Sequence, residues 1–183
     1  MDIKELEELY LTRQSCRKYD VNKKVDTQTL KKITELATLS PSACNSQPWR
    51  FISVNKAETV REIAKATQLF GMNKFTDNCT AFAVLTETPA NLTEKVGKNL
   101  TDRDFIANDL GIACAHFVLA AQVAGVSTCI LGMFDEKALK TILNIPEKHR
   151  PRLVIAMGYA AQDDKIRPKN RKTSEVTCEF VVD

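Results

Sequence analysis

The 183-residue sequence holds only two histidines, one tryptophan and six glycines, and each shortage removes a class of chemistry. The glycines, at 71, 97, 111, 125, 132 and 158, stand too far apart for a G-x-G-x-x-G turn or a phosphate loop. No dinucleotide is therefore expected to reside on a Rossmann crevice. His116 and His149 form no H-E-x-x-H or other ligand spacing with the scattered carboxylates, so no metal site is expected. The six cysteines, at 16, 44, 79, 114, 129 and 178, include no C-x-x-C pair. Reduced thiols in a cytoplasmic protein are the expectation. Neither histidine comes with a context suggesting a Cys-His pair, so Cys44 reads as a small buried thiol and His116 as a satisfied core histidine. With 26 basic against 23 acidic residues the net charge is only +3, too weak to argue for nucleic acid as the main partner. The N-terminus is an acidic amphipathic helix without an apolar signal core, and export is not expected.

One long apolar run is present. Leu110 to Phe134 carries no charge and is long enough to span a bilayer. It also contains His116 and Gln122, and Gly125 divides a helix-like half from a β-branched half. A buried helix followed by a buried strand explains the same apolarity, so no membrane partner is expected.

The length suits one domain, residues 1–183, of α+β layered type. Ile3, Leu6 and Tyr10 share one face of a first helix. A second starts at an Asp26 or Thr27 cap, turns Leu30, Ile33 and Ala37 inward, and ends at the Ser40-Pro41 junction. Trp49 to Val54 reads as a strand, Lys56 to Thr67 as a helix and Ala81 to Leu85 as a buried strand. Asp109 opens a helix, Leu110 to Ala124, so apolar on every side that it must be covered all round, by a larger core or by another subunit. Gly125 stops it, and strand Val126 to Leu131 follows. Asp135 caps a short helix to Leu143, broken at Pro146, and Leu153 to Met157 is the last core strand. A basic arm with Lys165, Arg167, Lys169, Arg171 and Lys172 leads to a strand-like tail, Glu175 to Val182.

Two short motifs carry the chemistry. Arg13-Gln14-Ser15-Cys16-Arg17 places two arginines four apart, on one face if the turn is helical. Their planar forks bind phosphate or a carbonyl edge bidentately and keep their charge. Pro41-Ser42-Ala43-Cys44-Asn45-Ser46-Gln47-Pro48-Trp49 supplies a hydroxyl and two amides, the neutral hydrogen-bonding groups that a polyol or pyrimidine edge needs. Taken singly, each has a plainer reading. Arg13, Arg17 and Lys18 suit the C-terminal end of a helix, and the second run suits a loop of turn formers.

Together, at this separation and with Trp49 opening a strand, the motifs resemble the nitroreductase family of FMN-dependent oxidoreductases. The resemblance extends over nearly the whole chain, through Asp109-Leu110-Gly111-Ile112-Ala113 and Gly125-Val126-Ser127 to Met157-Gly158-Tyr159, where Ala160 replaces the family's proline. It implies a three-layer fold, a central mostly antiparallel sheet flanked by helices, with a swapped C-terminal tail. It implies a homodimer built on the apolar helix, with flavin sites at the subunit interface. It further implies FMN held by Arg13, Gln14, Ser15, Arg17, Lys169 and Arg171, with Pro41, Ser42, Ala43, Asn45 and Gln47 reaching in from the second subunit. A backbone N–H of Leu131 or Gly132 would meet the ring N5, and Asn73 would face the pyrimidine ring. Arg17 would stabilise the charge of the reduced ring. The implied reaction is ping-pong reduction of nitroaromatics, quinones or similar small molecules by NADH or NADPH, docking transiently over the flavin. Two other classes stay open: a flavin-binding protein for storage, sensing or a specialised oxidation, and a binder of nucleic acid or anionic surfaces through the basic arm.

Overall fold

The computed structural model describes residues 2–89 and 104–183. The first helix, α1 (Ile3–Thr12), starts in a capping box in which Asp2 accepts from the Lys4 and Glu5 amides and Glu5 answers the Asp2 amide. It buries no residue within the chain, and Ile3 and Tyr10 of its apolar face lie open. Helix α2 (Thr27–Ala37) is capped by Asp26, which accepts from the Thr29 amide, and turns Leu30, Ile33 and Ala37 into the core as expected. It stops three residues before the expected Ser40-Pro41 junction. The Ser40 hydroxyl there satisfies the Ala37 carbonyl at 2.8 Å.

Strands β1 (Trp49–Val54), β2 (Ala81–Glu87), β3 (Ser127–Leu131) and β4 (Arg150–Gly158) form a sheet in the order β1-β2-β4-β3, with every neighbouring pair antiparallel. Its register is pinned by pairs such as Ile52 with Val84 and Cys129 with Ala156. Alternation along the strands feeds two cores. Ala83, Leu85, Ile155 and Met157 face α2 and the long helix α4 (Phe105–Val123), while Phe82, Val84, Val154 and Ala156 face α3 (Ala57–Ala66) and α5 (Glu136–Leu143). The fold is therefore the expected three-layer α+β arrangement.

Helix α4 begins four residues before the expected Asp109, because Asp104 caps it by accepting from the Ala107 amide. Its inner face is Leu110, Ala113, Cys114, Phe117, Val118 and Ala121. Its outer face is not covered: Ile112, Ala115 and Val123 are exposed and Leu119 is half-buried. All-round burial is thus corrected for the single chain to one buried face and one open apolar stripe. Phe117 is fully enclosed and stacks on Phe51, with ring centroids 5.4 Å apart. Phe117→Ala is expected to cost about 3–5 kcal/mol of stability in urea unfolding.

The C-terminal stop at Gly125 has φ +72°, and the next amide, Val126, reaches back to the Ala121 carbonyl at 2.8 Å. Helix α5 is capped by Asp135 as expected and ends at left-handed Asn144, before Pro146. The tail differs from its expected strand. Ser174–Thr177 is a single helical turn, α6, on which Val176 is exposed, and Phe180, Val181 and Val182 are exposed on the extension beyond it. Alternating side chains make a strand only where an edge is available to pair with.

Candidate functional site

Strand β3 lies at the edge of the sheet, and its open hydrogen-bonding groups need a partner. The segment after α1 supplies it. Arg13 closes the helix through its amide on the Leu9 carbonyl, and the chain then runs extended. Ser15 bridges Thr128 in parallel, and the Cys16 amide donates to the Thr128 carbonyl at 2.9 Å. Tyr19 then pairs with Ala160 beyond the end of β4. The condition of a helical turn is thus not met, and the segment is extended. The consequence for the arginines survives, since an extended chain turns alternate residues to one side and so groups Arg13, Ser15 and Arg17. Cys16 points the other way, 1% exposed, where burial pushes its thiol up to about 11.

The basic arm folds back over this segment. The Gln14 amide nitrogen donates to the Lys165 carbonyl at 3.2 Å, and its oxygen accepts from the Arg167 amide at 3.0 Å. Gln14 therefore clamps the arm with both ends of its side chain. Arg167 donates to the Ser15 carbonyl at 2.7 Å and pairs with Asp164, while Lys169 donates to the Arg13 carbonyl. Arg13, Gln14, Ser15, Arg17, Arg167, Lys169 and Arg171 line one concavity of about 160 Å³, below the range of whole-ligand pockets and suited to one end of a larger molecule. The Lys169 ammonium is held below its ordinary pKa, first by burial and then by Arg13, Arg171 and Arg167. Cations crowded in this way fit an anionic group such as a phosphate, which would relieve their mutual repulsion.

Around the concavity, Arg17 lies with its guanidinium 6.0 Å from the centre of the Phe75 ring. Asn73, two residues before Phe75, adopts φ +53° and donates its amide to the Thr67 carbonyl at 3.0 Å. Further along β3, alternation from Thr128, whose carbonyl faces the open edge, sends the Leu131 N–H toward β4, and Gly132 follows just past the end of the strand. Leu131 itself is buried, and Gly132 is exposed.

The second motif stands elsewhere. Asp109, 4% exposed inside α4, accepts the Ala43 amide on both carboxylate oxygens at 3.1 Å. Ser42 accepts the Gln47 amide at 3.0 Å, and the Gln47 side chain donates to Asn45. Pro41, Asn45 and Gln47 are exposed, and so is Cys44, which corrects the buried thiol expected there. His116 is half-buried on α4 rather than enclosed in the core. The cationic segment meets the opposite end of that helix, where Gln122 donates to the Thr12 hydroxyl at 3.5 Å. Positions 109 and 122 are about 20 Å apart at 1.5 Å per residue. One chain thus presents the two motifs at opposite ends of α4.

Sequence reasoning missed three residues at these sites. Arg167 was visible as one of five clustered cations, and Asp109 as a charge opening an apolar helix. Nothing local marked Phe75. Residues 90–103 lie outside the described part of the chain.

The model of the family described as "Nitroreductase family" matches residues 10–70 and 65–159. A putative NADH dehydrogenase/NAD(P)H nitroreductase of Archaeoglobus fulgidus is 31% identical over 158 residues, which span 84% of each chain. An oxygen-insensitive NADPH nitroreductase of Helicobacter pylori is 21% identical over 97% of this chain and 98% of its own. Among solved structures, a nitroreductase family protein from Streptococcus pneumoniae superposes with a TM-score of 0.80 at 26% identity, covering 96% of this chain and all (100%) of the other. An FMN-dependent nitroreductase from Clostridium difficile shares the fold at a TM-score of 0.74 and 22% identity, over 94% of this chain and 96% of its own. The chain belongs to the nitroreductase family.

Proposed function

We propose that this protein is a cytoplasmic FMN-dependent oxidoreductase, a homodimer of single-domain subunits that reduces nitroaromatics, quinones or similar small acceptors with NADH or NADPH. The observation that carries this reading is the placement of the cationic concavity and the amide loop at opposite ends of α4, with an open apolar stripe between them. Two chains packed two-fold through antiparallel α4 stripes bring the loop of each beside the cations of the other. Neither chain alone assembles the pair. The tail, with Val176, Phe180 and Val182 exposed, would wrap the partner.

In this site Arg13, Lys169, Arg171 and Ser15 would hold the FMN phosphate, with Arg167 and Gln14 keeping the arm in place. Bound FMN supplies a two-electron carrier whose ring gains negative charge on reduction. Arg17, seated on Phe75, offers a fixed positive charge for the ring edge, preorganised before reaction. The Gly132 N–H, free of side-chain cover, suits close approach to the ring. Ser42, Asn45 and Gln47 of the partner would hydrogen-bond the remaining polar edge. With no separate dinucleotide fingerprint in the sequence, nicotinamide and acceptor share one face and must alternate.

Purified protein is expected to be yellow, with about one FMN per chain, and to give parallel double-reciprocal lines with NAD(P)H and a quinone. A colourless protein that takes up no added FMN would overturn the cofactor, and intersecting lines would overturn the alternation. Arg17→Gln is expected to keep FMN but slow its reduction by about 1–3 kcal/mol of activation free energy in stopped flow. An unchanged rate removes Arg17 from the ring edge.

A further inference from the structure

Three non-glycine residues of the 41–47 loop, Cys44, Asn45 and Gln47, sit at φ 52°, 51° and 48°, in the sparsely populated left-handed region. Such a conformation persists where surrounding contacts over-determine it. Within the loop, the Asn45 amide reaches the Ser42 carbonyl and the Gln47 amide the Ser42 hydroxyl, both at 3.0 Å. The body of the protein grips it through Asp109. Asp109 is buried, 4% exposed, and its carboxylate takes the Ala43 N–H with both oxygens. An apolar side chain would suit this helix face better, because an ion removed from water must be compensated by its partners. Its paired bond to the Ala43 amide contributes to that compensation.

We propose that Asp109 is a positioning residue for the cofactor site. It fixes the backbone at Ala43 and so sets the directions in which Ser42, Asn45 and Gln47 point toward the flavin held by the partner subunit. This rests on the FMN-binding, two-chain reading above.

The wild-type protein, Asp109→Ala and Asp109→Asn are compared by FMN titration, amide hydrogen exchange and subunit mixing. Asp109→Ala is expected to bind FMN about tenfold more weakly, with Asn, which keeps one acceptor for Ala43, in between. The Ala43 amide of the apo-protein should lose exchange protection in the same order, a readout that needs no cofactor. Mixing Asp109→Ala with Arg13→Ala subunits creates hybrids in which one site combines an intact Arg13 with an intact loop. Tight FMN binding should then return at up to about one site in four. A purely stabilising role for Asp109 would lower the melting temperature of both variants without changing FMN affinity, and that result overturns the proposal. So does a failure of mixing to restore binding. If Asp109→Ala does not fold, Asp109→Asn serves in both experiments. Failure of the wild-type protein itself to bind FMN would instead sink the functional reading, and Ala43 protection would still decide whether Asp109 holds the loop.

Discussion

Arg13→Ala combined with Lys169→Ala is expected to strip the protein of tightly held FMN. Both cations line the anion-sized concavity, and the Lys169 ammonium, already donating to the Arg13 carbonyl, is pressed by three neighbouring arginines that an incoming phosphate would neutralise. A hydrogen bond to a charged group contributes about 1.5–3 kcal/mol. Losing two of them weakens binding by about a hundredfold to about twenty-thousandfold, measured by fluorescence titration. The fold should be untouched, since neither side chain belongs to a core. Lys18→Ala provides the control. It carries a cation on the same segment but pairs with Asp163 outside the concavity, and FMN affinity should not change. Equal loss in the control would mean that general charge, rather than the concavity, attracts the cofactor.

Ile112→Glu is expected to convert the protein to monomers that have lost FMN. Ile112 stands in the open stripe with Ala115, Leu119 and Val123, on the face of α4 that the chain itself leaves uncovered. An uncompensated charge buried in an interface costs about 3–5 kcal/mol per residue, and two-fold symmetry introduces two at once. Sedimentation against concentration measures the shift, and FMN titration of the same samples measures the coupled loss. A dimer that persists would remove this stripe from the interface. A monomer that binds FMN tightly would refute the shared site.

Much of the fold was legible locally. Helix α2 was written in its Asp26 cap and in Leu30, Ile33 and Ala37 at helical spacing, and β1 in the alternation of Trp49 and Phe51 against Ile52 and Val54. Gly125 was readable because a left-handed stop suits glycine more than other residues. The errors share one cause, a long-range partner. The grouping of Arg13 with Arg17 was argued for a helical turn, whereas pairing with the edge of β3 holds the segment extended. Tail alternation promised a strand on the sheet of a partner, and within the one chain the tail joins no sheet and a helical turn forms at Ser174–Thr177.

For the candidate site, residue type alone pointed to a chemistry. Arginines beside a serine, amides in a proline-bounded loop and later cations in an arm are chemically suited to a phosphate and a polar ring edge wherever the fold puts them. Position was another matter. Only the tertiary structure returned Arg167 and Lys169 to the backbone of Ser15 and Arg13, because contacts across some 150 residues leave no periodic trace in sequence. It also anchored the Ala43 loop to Asp109 at one end of α4 and the arginines near Gln122 at the other. A rigid helix of 19 residues keeps those ends apart, so the two motifs of a single chain cannot close on one ligand end.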